Sequence, residues 1–192
     1  DAAKLMRACG EPLRSSLTGT SASRFDLIGF SVAYELHYTN LLMMLDLAGV
    51  PLEASARGNG DPLVAAGGPC CSNPLPFMNA VDAVFLGDGE DSLPEAVAAL
   101  ARLKASGAGR AAKRDALARI EGVYVDGISS SVAARAHRFV DGDLPRTPIV
   151  PSSEVVHERL AVEIMRGCSR GCRFCHASMF YRPCRERSVD EI

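Results

Sequence analysis

The sequence predicts an α/β fold built on a parallel sheet, and three observations predict it. Short apolar runs alternate with segments of helical spacing from Phe25 onward. Several of those runs end in glycine. Of the 192 residues, 47% are hydrophobic and 23% charged, which is the balance of a chain that packs a core.

FDLIGFSV (Phe25–Val32) is a continuous apolar run with Gly29 inside it, and reads as a strand buried on both faces. YTNLLMMLDLAG follows, with Leu41, Leu42, Leu45 and Ala48 at helical spacing and a stop at Gly49 and Pro51. PLVAAGG (Pro62–Gly68) reads as a second strand running into a double glycine. VDAVFLGDGE (Val81–Glu90) reads as a third, ending in a glycine-rich turn. SLPEAVAALARLK predicts a helix with Pro94 in its first turn. AAKRDALARI predicts another helix, before the short strand GVYV (Gly122–Val125). Strands separated by helices imply βα units with right-handed crossovers.

Parallel sheets bind ligands outside the carboxyl ends of their strands. Here those ends carry Ser31 to His37, Gly67-Gly68-Pro69 and Gly87-Asp88-Gly89-Glu90. Gly67, Gly68, Gly87 and Gly89 are candidates for letting a flat or phosphorylated ligand approach the backbone; the plainer reading is that they make tight turns.

From Asp126 the periodicity fades, and DGDLPRTPIVPSSE, with three prolines, reads as an extended connection. The organisation expected is an α/β domain over 1–128, a linker over 129–158 and a new unit over 159–192. That unit opens on LAVEIMRG (Leu160–Gly167), which looks like a strand. Both ends look cut: no initiator methionine opens the chain, and Ser188-Val-Asp-Glu191 is a capping box that ought to start a helix.

The formal net charge of −2 gives no reason for general binding to nucleic acid or anionic membrane. No apolar run is long enough to cross a bilayer, and no signal-peptide pattern is present. Seven cysteines, odd in number and unevenly clustered, do not form a secreted disulfide framework; a reducing cytoplasm is the expected location.

Four of those cysteines fall in RGCSRGCRFCHASMFYRPCRERS (Arg166–Ser188), three of them as C-x-x-x-C-x-x-C: Cys168, Cys172 and Cys175. Zinc is one reading, with His176 as a fourth ligand, but structural zinc sites usually draw ligands from two separated knuckles. A redox dithiol has no use for a third cysteine just upstream. A 4Fe–4S cluster held by three cysteines leaves one iron open, whereas an electron carrier wants a fourth.

The motif C-x-x-x-C-x-aromatic-C, after a strand and before a helix, resembles the signature loop of radical S-adenosylmethionine (SAM) enzymes. With FDLIGFSVAYELHYTNLLMMLDLAGVPL, AAGGPCCSNP and FLGDGE upstream, the chain is similar to a largely uncharacterised subgroup with an N-terminal cobalamin (vitamin B12)-binding-like domain. The resemblance implies a Rossmann-like cobalamin-binding-like domain, incomplete at its N-terminus, followed by the first strand and cluster loop of a partial TIM barrel. It implies that Cys168, Cys172 and Cys175 hold a 4Fe–4S cluster, and that Phe174 packs near the adenine of SAM. The activity implied is reductive cleavage of SAM to a 5′-deoxyadenosyl radical, for hydrogen abstraction or cobalamin-linked methyl transfer, by the full-length protein rather than this fragment. An electron donor such as flavodoxin or ferredoxin and a substrate, an RNA or a small molecule, are the implied partners. The cobalamin signature D-x-H-x-x-G is absent. Gly67, Gly68, Gly87 and Gly89 are then the possible cobalamin-side loops. A zinc-binding module and a simple iron–sulfur carrier are the alternatives.

Other residues carry plainer readings. His176 and His37 are polar loop or helix-start residues, Cys70, Cys71 and Cys184 are structural thiols, and Met43 and Met44 are core. Arg166, Arg170, Arg173, Arg182, Arg185 and Arg187 form a basic patch that lowers the cost of an anionic cluster.

Overall fold

The computed structural model describes residues 2–140, 142–145, 147, 150 and 159–192. The chain divides into two compact units, Asp1–Arg135 and Ala136–Ile192. The linker expected over 129–158 lies partly outside the described residues.

In the first unit the described elements are α1 (Ala2–Cys9), β1 (Leu27–Ser31), α2 (His37–Ala48), β2 (Leu63–Gly67), β3 (Ala83–Phe85), α3 (Gly89–Ala105), α4 (Arg110–Leu117) and β4 (Val123–Tyr124). They form a four-stranded sheet in the order β1-β2-β3-β4. β1 pairs with β2 and β2 with β3 in parallel, registering Gly29 with Ala65 and Ala65 with Ala83. Strand periodicity sends alternate side chains to opposite faces. Val64, Ala66 and Val84 meet Leu41, Leu45 and Ala48 of α2 on one face. Leu63, Ala65, Ala83 and Phe85 meet Ala96 and Leu100 of α3 with Leu117 of α4 on the other. The helix α2 ends as its sequence dictates: Gly49 takes φ 68° and returns its N–H to Leu45 and Asp46 carbonyls.

Three expectations change. β1 is not buried on both faces: among the described residues it pairs only with β2, and Gly29 and Ser31 are exposed. Its apolar run reflects an edge strand over a partly open face. The helix expected from Ser92 begins earlier, at Gly89, so Pro94 lies inside it rather than in its first turn. The sheet is not wholly parallel, because β4 runs antiparallel to β3, with Val84 opposite Tyr124. One crossover helix returns a chain to the same end of a sheet; here two helices, α3 and α4, stand between β3 and β4, and the chain re-enters from the opposite end.

In the second unit β5 (Met165–Arg166) and β6 (Arg185–Glu186) form an antiparallel pair, with α5 (Ala177–Phe180) between them. The strand expected over Leu160–Gly167 is regular only at Met165–Arg166. Its upstream residues lack a neighbouring strand among those described, and Leu160, Val162 and Ile164 stay exposed. Ser188 to Glu191 forms a turn, with Glu191 N–H donating to the Ser188 carbonyl. The Glu191 carboxylate accepts from Arg187 instead of closing a capping box.

No described helix is long and apolar enough to cross a membrane.

Candidate functional site

The three clustered cysteines occupy the connection between β5 and β6. Gly167, the first residue past β5, has φ 95°, and an added Cβ would lie 2.5 Å from the Tyr181 carbonyl oxygen and 2.9 Å from Cys184 Cα. Glycine is required there because the two arms of the loop touch backbone to backbone. Cys168 follows at once and accepts the Arg170 backbone N–H on Sγ at 3.5 Å. Cys175 N–H donates to the Cys172 carbonyl at 3.0 Å, which folds the C-x-x-C into a turn. The Cys175 carbonyl accepts from the buried Ser178 hydroxyl at 3.0 Å, and the Ser178 carbonyl accepts from Arg182 Nε at 2.8 Å. A chain of bonds from the following turn of the same connection thus holds the backbone of the third cysteine.

All three thiols are free and at least partly exposed. Among the described residues, no group of three His, Cys, Asp or Glu side chains gathers as around one metal ion. His176 stands at the start of α5 with its ring beside Phe180 at 5.9 Å. Cys184 sits at the base of the hairpin, its Cα against Gly167. Three soft donors spaced along a single loop, each anchored through backbone groups, fit a cluster larger than one ion. Phe174 is 92% exposed, available to a ligand but not packed on anything.

The basic patch divides in two. Arg166 makes a two-pronged pair with Glu163 at 2.9 Å on both oxygens, and Arg187 reaches Glu163 at 3.1 Å and Glu191 at 2.8 Å. The Arg166 hydrogen bonds, joined by those of Arg187, hold the Glu163 carboxyl below the usual carboxylate range against the opposing effect of burial. Arg170 and Arg173 lie within the cysteine loop itself, between Cys168 and Cys175 in sequence.

In the first unit, a groove of about 320 Å³ opens at the carboxyl ends of β1, β2 and β3. Gly67, Gly68, Gly87 and Gly89, separated in sequence, all line it, together with Ser31, Phe85 and Leu93. Gly68 has φ 111°, and an added Cβ would approach the Val32 carbonyl oxygen to 2.8 Å. This position serves the tight turn. Gly89 is different: a Cβ there would meet nothing within 4 Å, so its lack of a side chain leaves the groove open. The wall is apolar, and α3 begins there with Asp88, Glu90 and Asp91. Those carboxylates already complement the helix dipole and disfavour a phosphate at that mouth. The groove suits a flat apolar group.

His37 does not enter the groove; its Nδ1 accepts the Ala33 N–H at 3.3 Å and its ring lies tilted against Tyr34. Cys70 and Cys71 are buried, Cys70 bonding the Ala33 carbonyl. Burial first, then the neighbouring Cys70, pushes the Cys71 thiol up to about 12. At pH 8 only about one Cys71 in ten thousand is thiolate. We therefore expect iodoacetamide, on the native protein before any metal is added, to modify Cys172 at least about a hundredfold faster than Cys71. Peptide mapping over time checks this.

Sequence reading missed Phe139 and Glu163, which hold the base of the cysteine loop. The Glu163-x-x-Arg166 spacing was a local signal for the second; nothing local marks the first.

A family model described as "Radical SAM proteins, N-terminal" matches residues 1–126. Over 174 residues the chain is 26% identical to an uncharacterized protein of Methanocaldococcus jannaschii, MJ0966, covering 88% of this chain and 34% of that protein. The chain thus spans about a third of the length of this curated relative.

Proposed function

The chain belongs to the family of radical SAM proteins through their N-terminal region, and from that premise we propose that the whole protein holds a 4Fe–4S cluster on Cys168, Cys172 and Cys175 and cleaves SAM reductively. The observation that carries this reading is the separation of its two supports. The family match ends at residue 126, and the C-x-x-x-C-x-x-C loop begins at Cys168, outside it. Neither support depends on the other.

When bound, such a cluster supplies the electron that breaks the SAM sulfonium bond and yields a 5′-deoxyadenosyl radical for hydrogen abstraction. The residues of this chain prepare for it. Gly167 lets the loop close on itself, the Arg170 N–H donates to the Cys168 sulfur, and Ser178 and Arg182 fix the backbone of Cys175. Arg170 and Arg173 offset the negative charge of three thiolates and favour the reduced state. Phe174 offers an exposed ring to the adenine. In this reading Cys184, whose backbone packs at the hairpin base, is not a ligand, and a cluster on the three loop cysteines would keep one iron for SAM.

The glycine-lined groove is where the first unit would take a ligand. No histidine lines it, so the residues that line the groove do not fit that cofactor as cobalt ligands. No step is routed through cobalt. In this proposal the groove receives an apolar part of the substrate, and a small acidic redox protein of the flavodoxin or ferredoxin type delivers the electron to the basic cysteine loop.

The test is the full-length protein, reconstituted anaerobically with iron and sulfide, then given dithionite and SAM. Release of 5′-deoxyadenosine and methionine, seen by chromatography, is expected. Zinc retained in place of iron, with SAM left intact, overturns the proposal.

A further inference from the structure

We infer that Phe139 and Arg187 form a clamp that positions the cysteine loop for its cluster, an inference that rests on the cluster reading above. The guanidinium carbon of Arg187 lies 4.0 Å from the centre of the Phe139 ring, with that of Arg166 at 5.2 Å and that of Arg185 at 5.7 Å. Three guanidiniums meet on one phenyl ring. They come from both roots of the loop: Arg166 ends β5, Arg185 begins β6 and Arg187 follows it.

Arg187 is the most enclosed of them, its side chain 3% exposed. Its Nε has no hydrogen-bond partner among the described residues, while its terminal nitrogens reach Glu163 and Glu191. A buried cation that gives up one donor to lie on a ring is costly to keep unless the arrangement fixes a geometry. Glu163 shows which geometry: it binds Arg166 of its own arm and Arg187 of the opposite arm, while Arg187 N–H donates to the Ile164 carbonyl at 3.0 Å. Ring, carboxylate and ladder together set the register of the two strands from which the three cysteines hang. The ring itself belongs to an upstream segment, tethered by Arg185 Nη1 to the His137 carbonyl at 2.7 Å. The clamp touches none of the thiols, so its residues are positioning residues.

The test uses the full-length protein with Phe139→Leu, Phe139→Tyr and Arg187→Lys. On the protein before reconstitution, amide hydrogen exchange at 164–187 reports the register directly. After reconstitution, iron release to a ferrous chelator reports how well the loop grips. We expect Phe139→Leu and Arg187→Lys to load iron yet release it roughly tenfold faster, the scale seen for residues that orient metal ligands. Phe139→Tyr, which keeps the ring, is expected to restore the wild-type rate. If wild type loads a cluster and both variants release iron at its rate, the clamp is overturned while the cluster reading stands. Faster exchange without faster release overturns it equally, since the clamp would then order the hairpin alone. If wild type takes up no cluster, the functional reading falls and carries this inference with it.

Discussion

Cys168→Ala, Cys172→Ala and Cys175→Ala, made singly in the full-length protein, are each expected to cut cluster iron after reconstitution to roughly a tenth of wild type or less. Residues that only orient ligands change metal affinity by about 10–100-fold, and removal of a ligand itself weakens the site at least as much. Cys9→Ala, Cys71→Ala and Cys184→Ala are expected to leave iron and sulfide near the wild-type level. The contrast follows from placement. The three loop cysteines make up the C-x-x-x-C-x-x-C with their thiols free, whereas Cys71 is buried; Cys184 is also free and exposed but stands outside that spacing, at the foot of β6. Iron and sulfide analysis with the visible absorption of the protein checks this. Full retention of the cluster in Cys172→Ala, with loss in Cys184→Ala, would move the site to a different set of thiols.

Asp82→Ala is expected to cost about 3–5 kcal/mol of the stability of the first unit, the scale for breaking a buried ion pair by removing one partner. Asp82 has a side-chain exposure of 1%, and Arg57 is fully buried. One oxygen of Asp82, Oδ2, accepts from Arg57 at 3.1 Å, from Arg110 at 2.5 Å and from the Val64 N–H at 2.8 Å. The Arg57 guanidinium also donates to the Pro51, Leu52 and Ala80 carbonyls. Burial lowers the Arg57 pKa, and the Asp82 charge acts against that. Alanine at 82 leaves Arg57 charged, enclosed and without a counter-ion beside a strand N–H that has lost its acceptor. Arg110→Ala is expected to cost less, because Arg110 is partly exposed and Asp82 keeps Arg57. Native-state hydrogen exchange at the β2 amides measures both. A loss below about 1 kcal/mol in Asp82→Ala would mean that the buried pair is not what joins these loops to the sheet.

Much of the first unit was legible because its signals are local. The apolar run at Leu63–Gly67 and the helical spacing of Leu41, Leu45 and Ala48 are properties of neighbouring residues, and the structure keeps both elements. The direction of β4 was not legible. A pair of helices and a single helix leave the same alternation in sequence, and only packing of α3 on α4 decides where the chain re-enters. β1 misled for a related reason: Leu27 and Ile28 look alike whether a strand has one neighbour or two. In the second unit the cysteine spacing marked the loop, whereas Gly167 read only as the end of a strand and its closing of the loop is visible in the structure alone. The ring of Phe139 over Arg187 joins residues far apart in sequence, as does the bond of Arg57 to Asp82, and no spacing rule reaches either pair.

The most direct measurement is the EPR spectrum of the full-length protein, reconstituted and reduced with dithionite under anaerobic conditions, recorded with and without SAM. A reduced 4Fe–4S signal that shifts when SAM is added is the predicted result, because an iron without a protein thiol binds SAM and changes its field. A cluster signal that ignores SAM, or tetrahedral zinc with no cluster at all, contradicts the account.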